Sequence, residues 1–200
     1  MQQAYPKVIL SSGKDQSLRR FHPWVFSGAI KKIKNSVGKE IEPSEGELVS
    51  VVSNHDEFLG LGHYQLGSIA VRIFSFEDCA INQAFWDAKI AAAYNLRQVL
   101  NLTSNTETNV YRLLHAEGDG MPGLIIDFYN GTAVLQTHSI GMHLIKKEIC
   151  QSLQKVYGNT LHAIYDKSEE TMPKQSAVKA ENGVLWGETK TNEVKEYGNL

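Results

Sequence analysis

Two carboxylates separated by a single glycine are the residues of this sequence that most resemble an acid/base pair. Glu117 and Asp119 lie within "RLLHAEGDGMPGLIIDFYNG". Paired carboxylates act as acid and base only where their surroundings drive their pKa values apart, and no neighbouring residue does so visibly. The flanking glycines and Pro122 instead favour a tight hairpin turn, where carboxylates commonly accept backbone N–H bonds. We favour this structural interpretation over catalysis.

A second unusual stretch, "RRFHPWVFSGAI", combines cations with aromatic rings. Arg19 and Arg20 are suited to phosphates, and His22 or Trp24 could stack on an unpaired base. This combination predicts an RNA-binding surface. The alternative is that Trp24 and Phe26 pack inward while His22 bonds a neighbouring loop, and for Trp24 taken alone we favour packing.

Positive charge is concentrated at the amino end, although the formal net charge is only −2. Asp15 is the one carboxylate among the first 34 residues. Clustered cations can bind a polyanion by releasing its counterions, and an ordinary solvated face is the alternative. The cations in this segment are Lys7, Lys14, Arg19, Arg20, Lys31, Lys32 and Lys34.

Several familiar kinds of site have no support in the sequence. There is no GxxxxGK[ST], no HExxH and no GxSxG. The glycines of "EGDGMPG" lead into a predicted strand and not into a helix, so this stretch lacks the helix N-terminus that would bind phosphate. Cys79 and Cys150 lack a CxxC spacing, so we expect them to be packing residues without a disulfide or zinc. No apolar run approaches the roughly 18 to 20 residues of a membrane span, and no secretion signal opens the chain. We therefore expect a cytoplasmic protein.

The first part of the chain reads as short strands separated by turns. Their spacing predicts a small β-barrel or pseudobarrel for residues 1–76. Gly60 and Gly62, inside one strand, fit the sharp bends that closing such a barrel requires. The predicted strands are "KVIL", "WVFSGAI", "ELVSVVS", "EFLGLGHY" and "IAVRIFSF".

Residues 77–200 predict a mixed α+β domain. Asn82 is a plausible N-cap for a helix. The hairpin around the two carboxylates and the strand "TAVLQTH" follow, and then a helix around "MHLIKKEICQSLQKVYG" that ends at Gly158. "LHAIYDK" and "GVLWGET" complete the strands, and "NEVKEYGNL" resembles a charged strand that stops abruptly, which suggests a truncated chain.

Both helices show apolar spacing that predicts a buried face. For the first helix the predicted face is Phe85, Ala88, Ala92, Leu96 and Val99. For the second helix it is Leu144 or Ile145, Ile149, Leu153 and Val156.

Two long motifs resemble those of a known family. "VILSSGKDQSLRRFHPWVFSGAI", followed by "GELVSVVSNHDEFLGLGHYQLGSIAVRIFS", is similar to the PUA domain of S-adenosylmethionine-dependent ribosomal RNA methyltransferases that make 5-methylcytosine in the large-subunit RNA. "YRLLHAEGDGMPGLIIDFYNGTAVLQTHSIGM", "IYDKSEE" and "NGVLWGE" resemble the central domain of the same proteins. The resemblance implies a parent with a further Rossmann-like methyltransferase domain, which is absent from this chain. That domain would hold S-adenosylmethionine and the nucleophilic cysteine, so we expect this chain to be inactive alone, with no cofactor and no catalytic residue; neither Cys79 nor Cys150 matches the nucleophile.

The same resemblance implies RNA as the partner and suggests a homodimer. Phosphate contacts are then expected from Lys14, Arg19, Arg20 and Arg72, because cations position a backbone without reading its sequence. Arg112 and His115 are better candidates for RNA contact than the two carboxylates, which would repel phosphates.

We expect Glu117 or Asp119 to bind an amide or an arginine of the missing domain instead. Two other functions stay open. One is a stand-alone RNA-binding adaptor, favoured if the gene ends near Leu200. The other is a small-molecule enzyme that uses Glu117 and Asp119.

Overall fold

The computed structural model describes residues 5–189 and 193–199. Contacts within the chain divide it into two compact units, Met1–Ala80 and Ile81–Leu200, whereas the sequence pattern placed the division at residue 76. No helix among the described residues combines the length and apolar character that crossing a bilayer would need.

Unit 1 is built from six strands in one sheet. The strand order is β2-β6-β5-β4-β1-β3, with β1 and β4 parallel and every other pair antiparallel. The strands are β1 (Lys7–Leu10), β2 (Trp24–Phe26), β3 (Ile30–Lys34), β4 (Leu48–Val52), β5 (Phe58–Tyr64) and β6 (Ile69–Ser75).

The sheet must curl into a barrel-like shape because its two edge strands are consecutive in the chain. Only the 3-10 turn Ser27–Ala29 separates β2 from β3. At about 3.5 Å per residue, the facing ends of these strands lie at most roughly 14 Å apart. In a flat sheet, five spacings of about 4.8 Å would separate them by roughly 24 Å. The predicted pseudobarrel follows from this difference.

The inner face of the curled sheet holds the core of unit 1, which includes Val8, Val25, Val49, Val51 and Val71. Gly60 and Gly62 sit where neighbouring strands approach closely. A Cβ atom added at Gly62 would lie 2.4 Å from the carbonyl oxygen of Arg72.

The predicted length of one strand of unit 1 is wrong. "WVFSGAI" is not a single strand, because the chain leaves β2 after Phe26 and makes the 3-10 turn before entering β3. The turn carries the chain from one edge of the sheet to the other, which a continuous strand cannot do.

Unit 2 is a mixed α+β domain, as predicted. Its five-stranded sheet has the order β11-β10-β9-β8-β7, in which β9 and β10 are parallel and the other pairs antiparallel. The strands are β7 (Val110–His115), β8 (Leu124–Tyr129), β9 (Thr132–Thr137), β10 (Ala163–Asp166) and β11 (Gly183–Gly187), and the helices are α1 (Gln83–Val99), α2 (Ile140–Leu144) and α3 (Lys146–Tyr157).

Helix α1 begins as predicted, since the Asn82 side chain accepts a bond from the Phe85 N–H. The predicted buried face is wrong, however. Leu96 and Val99 are exposed. The helix has apolar residues around much of its circumference, so spacing alone does not select the packed side. The face that is buried consists of Trp86, Ile90, Ala93 and Arg97.

Two further boundaries differ from the sequence pattern. The second predicted helix is two helices, because Ile145 leaves helical geometry with φ −95° and ψ 17°, and Leu144 is exposed while Ile149 and Leu153 are buried. The predicted charged strand near the end is a turn within residues 193–199, closed by an isolated bridge between Glu196 and Asn199; Asn192 and Leu200 lie outside the described residues.

A carboxylate on α1 joins this helix to α3. Asp87 accepts hydrogen bonds from Gln83 (2.8 Å), Ser152 (2.8 Å) and Lys155 (2.9 Å). The bonds from Gln83, Lys155 and Ser152 lower the pKa of Asp87 to about 2. A lowered pKa means that the ionised form is favoured in the folded state, so this stabilisation is present above pH ~4 and is lost as the pH falls toward 2.

We expect Asp87→Asn to lower the free energy of unfolding at neutral pH by on the order of 1 kcal/mol, the usual contribution of such bonds. The difference from the unmodified protein should disappear as the pH falls from about 4 to about 2. Urea denaturation at a series of pH values measures it. A difference that stays constant across that interval would show that the ionisation of Asp87 does not contribute.

Candidate nucleic-acid interface

An aromatic stripe lies on the outer side of β2, at the edge of the unit 1 sheet. Strand alternation buries Val25 in the core and turns Trp24 and Phe26 the other way. The stripe comprises His22, Trp24 and Phe26, which meet edge to face with ring centroids 5.6 Å and 6.4 Å apart. Phe26 is 50% exposed. Phe26 therefore does not pack inward, because Val25 occupies the core position. Trp24 is half-buried on the side of the strand opposite Val25.

Phe21, which precedes this stripe in the chain, has two features that are energetically unfavourable. Its backbone is left-handed, with φ 62°, and its side chain is 72% exposed. Left-handed geometry is unfavourable for bulky residues, and such strain concentrates at functional sites. The ring packs edge to face on Phe76, with centroids 5.2 Å apart. Phe21 and Phe26 were not singled out from the sequence as ring contacts, although the motif that contains them was.

The predicted cations that precede the stripe in the chain differ in whether a carboxylate already binds them. Arg20 and Lys14 are exposed, and neither forms an ion pair within residues 5–189 and 193–199. Arg19 instead bonds Asp15 at 2.6 Å and also bonds Glu57. These bonds lower the pKa of both carboxylates. The charge of Arg19 is thus offset by two neighbours, which leaves Arg20 as the more available arginine.

Arg72 stands opposite Trp24 on β6 and opposite His63 on β5. Residues that face one another across neighbouring strands point to the same side of a sheet. The predicted residues Trp24 and Arg72 therefore share the outer face. Burial lowers the pKa of His63 to about 4, so this imidazole is neutral at physiological pH.

A groove rich in lysine lies along β1, β3 and β4, also within unit 1. It is an open cavity of about 930 Å³ lined by Lys7, Lys31, Lys32 and Lys34, together with apolar and polar residues. The sequence predicted no groove here, and it pointed to these lysines only as part of the positive charge at the amino end. The alternation of "IKKIK" around the buried Ile33 is the signal that places Lys32 and Lys34 on the outer face.

The turn with the two carboxylates is structural at Asp119. The segment Ala116–Asp119 forms a 3-10 turn between β7 and β8. The Asp119 carboxylate is bonded by both terminal nitrogens of Arg97, at 2.6 Å and 2.8 Å, and by the backbone N–H of His115 at 2.6 Å. Burial acts to raise its pKa, but the bonds from Arg97 and His115 outweigh this and lower it.

Glu117 and Asp119 consequently differ in what they can contact. Asp119 is bound by Arg97 and by the His115 N–H within unit 2, which supports the interpretation of the motif as a turn. Glu117 is exposed. The hypothesis of a contact with a further domain therefore rests on Glu117 alone.

Arg112 and His115, which precede this turn, also have partners within unit 2. Arg112 makes two bonds to Asp127 on β8, at 2.8 Å and 3.1 Å. His115 lies beside it, with its Nδ1 atom 3.3 Å from a guanidinium nitrogen. Both side chains are exposed, but Asp127 offsets the charge of Arg112. Their contact with RNA stays a prediction.

The described residues do not fit a nucleotide cofactor or a metal centre. Neither of the strand-to-helix connections into α1 and α2 contains a glycine-rich loop. The part of the chain that the structure describes has no group of three His, Cys, Asp or Glu side chains suited to a metal. Cys79 and Cys150 are free cysteines in the part of the chain that the structure describes, and burial raises the pKa of Cys150 to about 11.

Comparison with known proteins finds similar domains and similar proteins. Residues 8–76 match the family model of the PUA-like domain. The chain is 36% identical over 183 residues to Ribosomal RNA large subunit methyltransferase I of Photobacterium profundum, and 33% identical over 195 residues to the protein of the same name from Alteromonas mediterranea. These matches cover 90% and 96% of this chain but 44% and 47% of the relatives.

Solved structures support the fold. A protein described as a SAM-dependent methyltransferase from Streptococcus mutans superimposes with a TM-score of 0.75 at 18% identity, covering 96% of this chain and 46% of that one. A methyltransferase complexed with SAH gives the same values. This chain thus has a PUA-like domain at residues 8–76, and it spans less than half the length of the ribosomal RNA large subunit methyltransferases that it resembles.

Proposed function

We propose that this chain is the RNA-binding and substrate-orienting amino-terminal part of an S-adenosylmethionine-dependent ribosomal RNA (cytosine-C5) methyltransferase. The observation that carries the proposal is the outward-facing aromatic stripe of His22, Trp24 and Phe26. Arg20 precedes the stripe by two residues, is exposed, and forms no ion pair in the part of the chain that the structure describes. Aromatic faces stack on unpaired bases, and a neighbouring cation neutralises phosphate. A surface of this kind holds a single-stranded or looped segment of RNA.

The named relatives support the proposal for the parent protein. They are ribosomal RNA methyltransferases, and this chain matches less than half of each. We assign methyl transfer, the choice of cytosine and the use of S-adenosylmethionine to a further domain of the parent protein. Because the residues described above do not fit that cofactor, their part in the reaction is to bind the RNA and orient it.

The orienting role divides between the two units. In unit 1, the aromatic stripe fixes a base by stacking while Arg20 holds the adjoining backbone. In unit 2, Arg97 locks the hairpin of β7 and β8 through Asp119, so the hairpin keeps one shape. A fixed hairpin is a suitable support for Glu117, which we assign to contact the catalytic domain. The homodimer suggested by the resemblance stays a prediction that light scattering can check.

We expect Trp24→Ala to weaken binding of a short single-stranded oligouridylate RNA. Loss of one stacked base should cost about 1 to 3 kcal/mol without changing the salt dependence. Arg20→Ala should lower the log–log salt slope by about 0.7, the value for one phosphate on a single strand. Fluorescence anisotropy of labelled RNA across a salt series measures both effects.

Trp186→Ala is the matched control, since Trp186 is an exposed tryptophan on β11 of unit 2. Its affinity and salt slope should equal those of the unmodified chain. The proposal fails if the unmodified chain binds RNA with no dependence on salt, or if Trp24→Ala and Arg20→Ala both bind as tightly as the control.

A further inference from the structure

The structure assigns a second RNA-binding surface to unit 1, apart from the aromatic stripe. We propose that the lysine groove along β1, β3 and β4 holds a single-stranded RNA segment, with phosphates on its lysine rim and a base over its apolar floor. The inference rests on the proposed function. It adds a contact that neither the family model nor the names of the relatives specify.

Strand pairing places the rim lysines together on one face. Lys7 stands opposite Lys34, and Ile9 opposite Lys32. Ile33, between Lys32 and Lys34 of β3, points into the core. Lys32 and Lys34 are therefore on the same side of their strand, about 6.6 Å apart along it. Lys7 lies across from Lys34 on the neighbouring strand, so these three lysines are grouped on one patch of the outer surface.

The groove carries a net positive charge. Its lining includes four lysines and two aspartates, Asp56 and Asp78. Lys7 pairs with Asp56 at 2.9 Å. Within residues 5–189 and 193–199, the other three lysines form no ion pair. Lys31 is exposed, whereas Lys32 and Lys34 are half-buried. A cation without an ion pair gains free energy from phosphate because only its counterions are displaced.

The floor of the groove distinguishes it from a merely charged surface. Ile9, Val52, Phe58 and Leu61 line it, and pairing sets Phe58 opposite Val52 on the outer face. An aromatic ring on an apolar floor offers stacking to a base. Hydroxyl and amide groups from Ser50, Ser53, Asn35 and Asn54 also line the cavity. Lysines that only protected the edge strand β3 from pairing would need no such floor.

The test uses the full chain and the same labelled oligouridylate RNA. We expect Lys32→Ala/Lys34→Ala to lower the log–log salt slope by about 1.4, two phosphate contacts on a single strand. Each phosphate contact raises affinity about fivefold when the salt concentration falls from about 1 M to about 0.1 M. Loss of two contacts should therefore lower the affinity at about 0.1 M salt roughly 25-fold. Phe58→Ala should weaken binding at least about fivefold and leave the slope unchanged.

The matched control is Lys147→Ala/Lys174→Ala, which removes two exposed lysines from unit 2. Its slope should equal that of the unmodified chain. Protection of Lys32 and Lys34 from acetylation by bound RNA gives an independent measurement. The single-strand assignment would be overturned by two results together. The unmodified chain would bind duplex RNA as tightly as the single strand, and Lys32→Ala/Lys34→Ala would lower the salt slope for the duplex by the same amount.

The failure of this inference can be told apart from that of the proposed function. If Trp24→Ala and Arg20→Ala weaken binding while Lys32→Ala/Lys34→Ala behaves as the control, the groove does not bind RNA and the aromatic stripe does. If the unmodified chain shows no salt-dependent binding, both proposals are overturned.

Discussion

Replacing Arg97 with alanine should reduce the free energy of unfolding by about 3 to 5 kcal/mol, because it leaves a buried carboxylate without its cation. The side chains of Arg97 and Asp119 are only 10% and 7% exposed. Arg97 also donates a hydrogen bond to the carbonyl oxygen of Arg112 at 2.9 Å. Removing the Arg97 side chain therefore also deprives this carbonyl oxygen of that bond. Urea denaturation followed by circular dichroism measures the change.

The pH dependence of this variant follows from the lowered pKa of Asp119. In the unmodified protein the ion pair stabilises the fold above the unfolded pKa of about 3.9 and ceases to do so as the pH falls through the folded value. The difference between Arg97→Ala and the unmodified protein should therefore shrink in acid below about pH 4.

Arg112→Ala is the control for Arg97→Ala. Arg112 also bonds an aspartate in two places, but its side chain is 45% exposed, and exposed pairs contribute at most about 1 kcal/mol. If the two variants lost equal stability, the burial of the Arg97–Asp119 pair would not be the cause. Recovery of stability in Arg97→Met/Asp119→Leu would support it, since apolar replacement removes both buried charges.

We expect Gly62→Ala to destabilise unit 1 by about 3 kcal/mol, the upper part of the range for overpacked cores. The added Cβ would lie 2.4 Å from the Arg72 carbonyl oxygen and 2.7 Å from a Val71 methyl carbon. Backbone on one side and a buried side chain on the other leave no room for relaxation. Trp24 is the only tryptophan of unit 1, so its fluorescence in a Trp86→Phe/Trp186→Phe background reports the loss.

Gly28→Ala makes the same chemical change where there is space. A Cβ at Gly28 would meet nothing within 4 Å, so its stability should stay within about 0.5 kcal/mol of the unmodified protein. Equal losses in both variants would mean that the close approach of β5 and β6 is not what requires glycine at position 62.

The sequence by itself determined the class of fold and most of the elements, although not the extent of each one. Period-two patterns predicted the strands, Asn82 marked the start of α1, and Gly158 marked the end of α3. These features are local, because they depend on the geometry of a few consecutive residues and on their own hydrogen bonds. The motif "RRFHPWVF" was likewise visible from residue types alone.

Only the tertiary structure decided which side of each element is packed. Apolar residues surround much of α1, and the buried face includes Arg97 because Asp119, 22 residues later in the chain, neutralises it. Trp24 is outward because Val25 takes the core position. Partners of this kind are distant in sequence, so no local pattern contains them, and burial and charge pairing are settled only when the sheet curls and the hairpin closes on the helix.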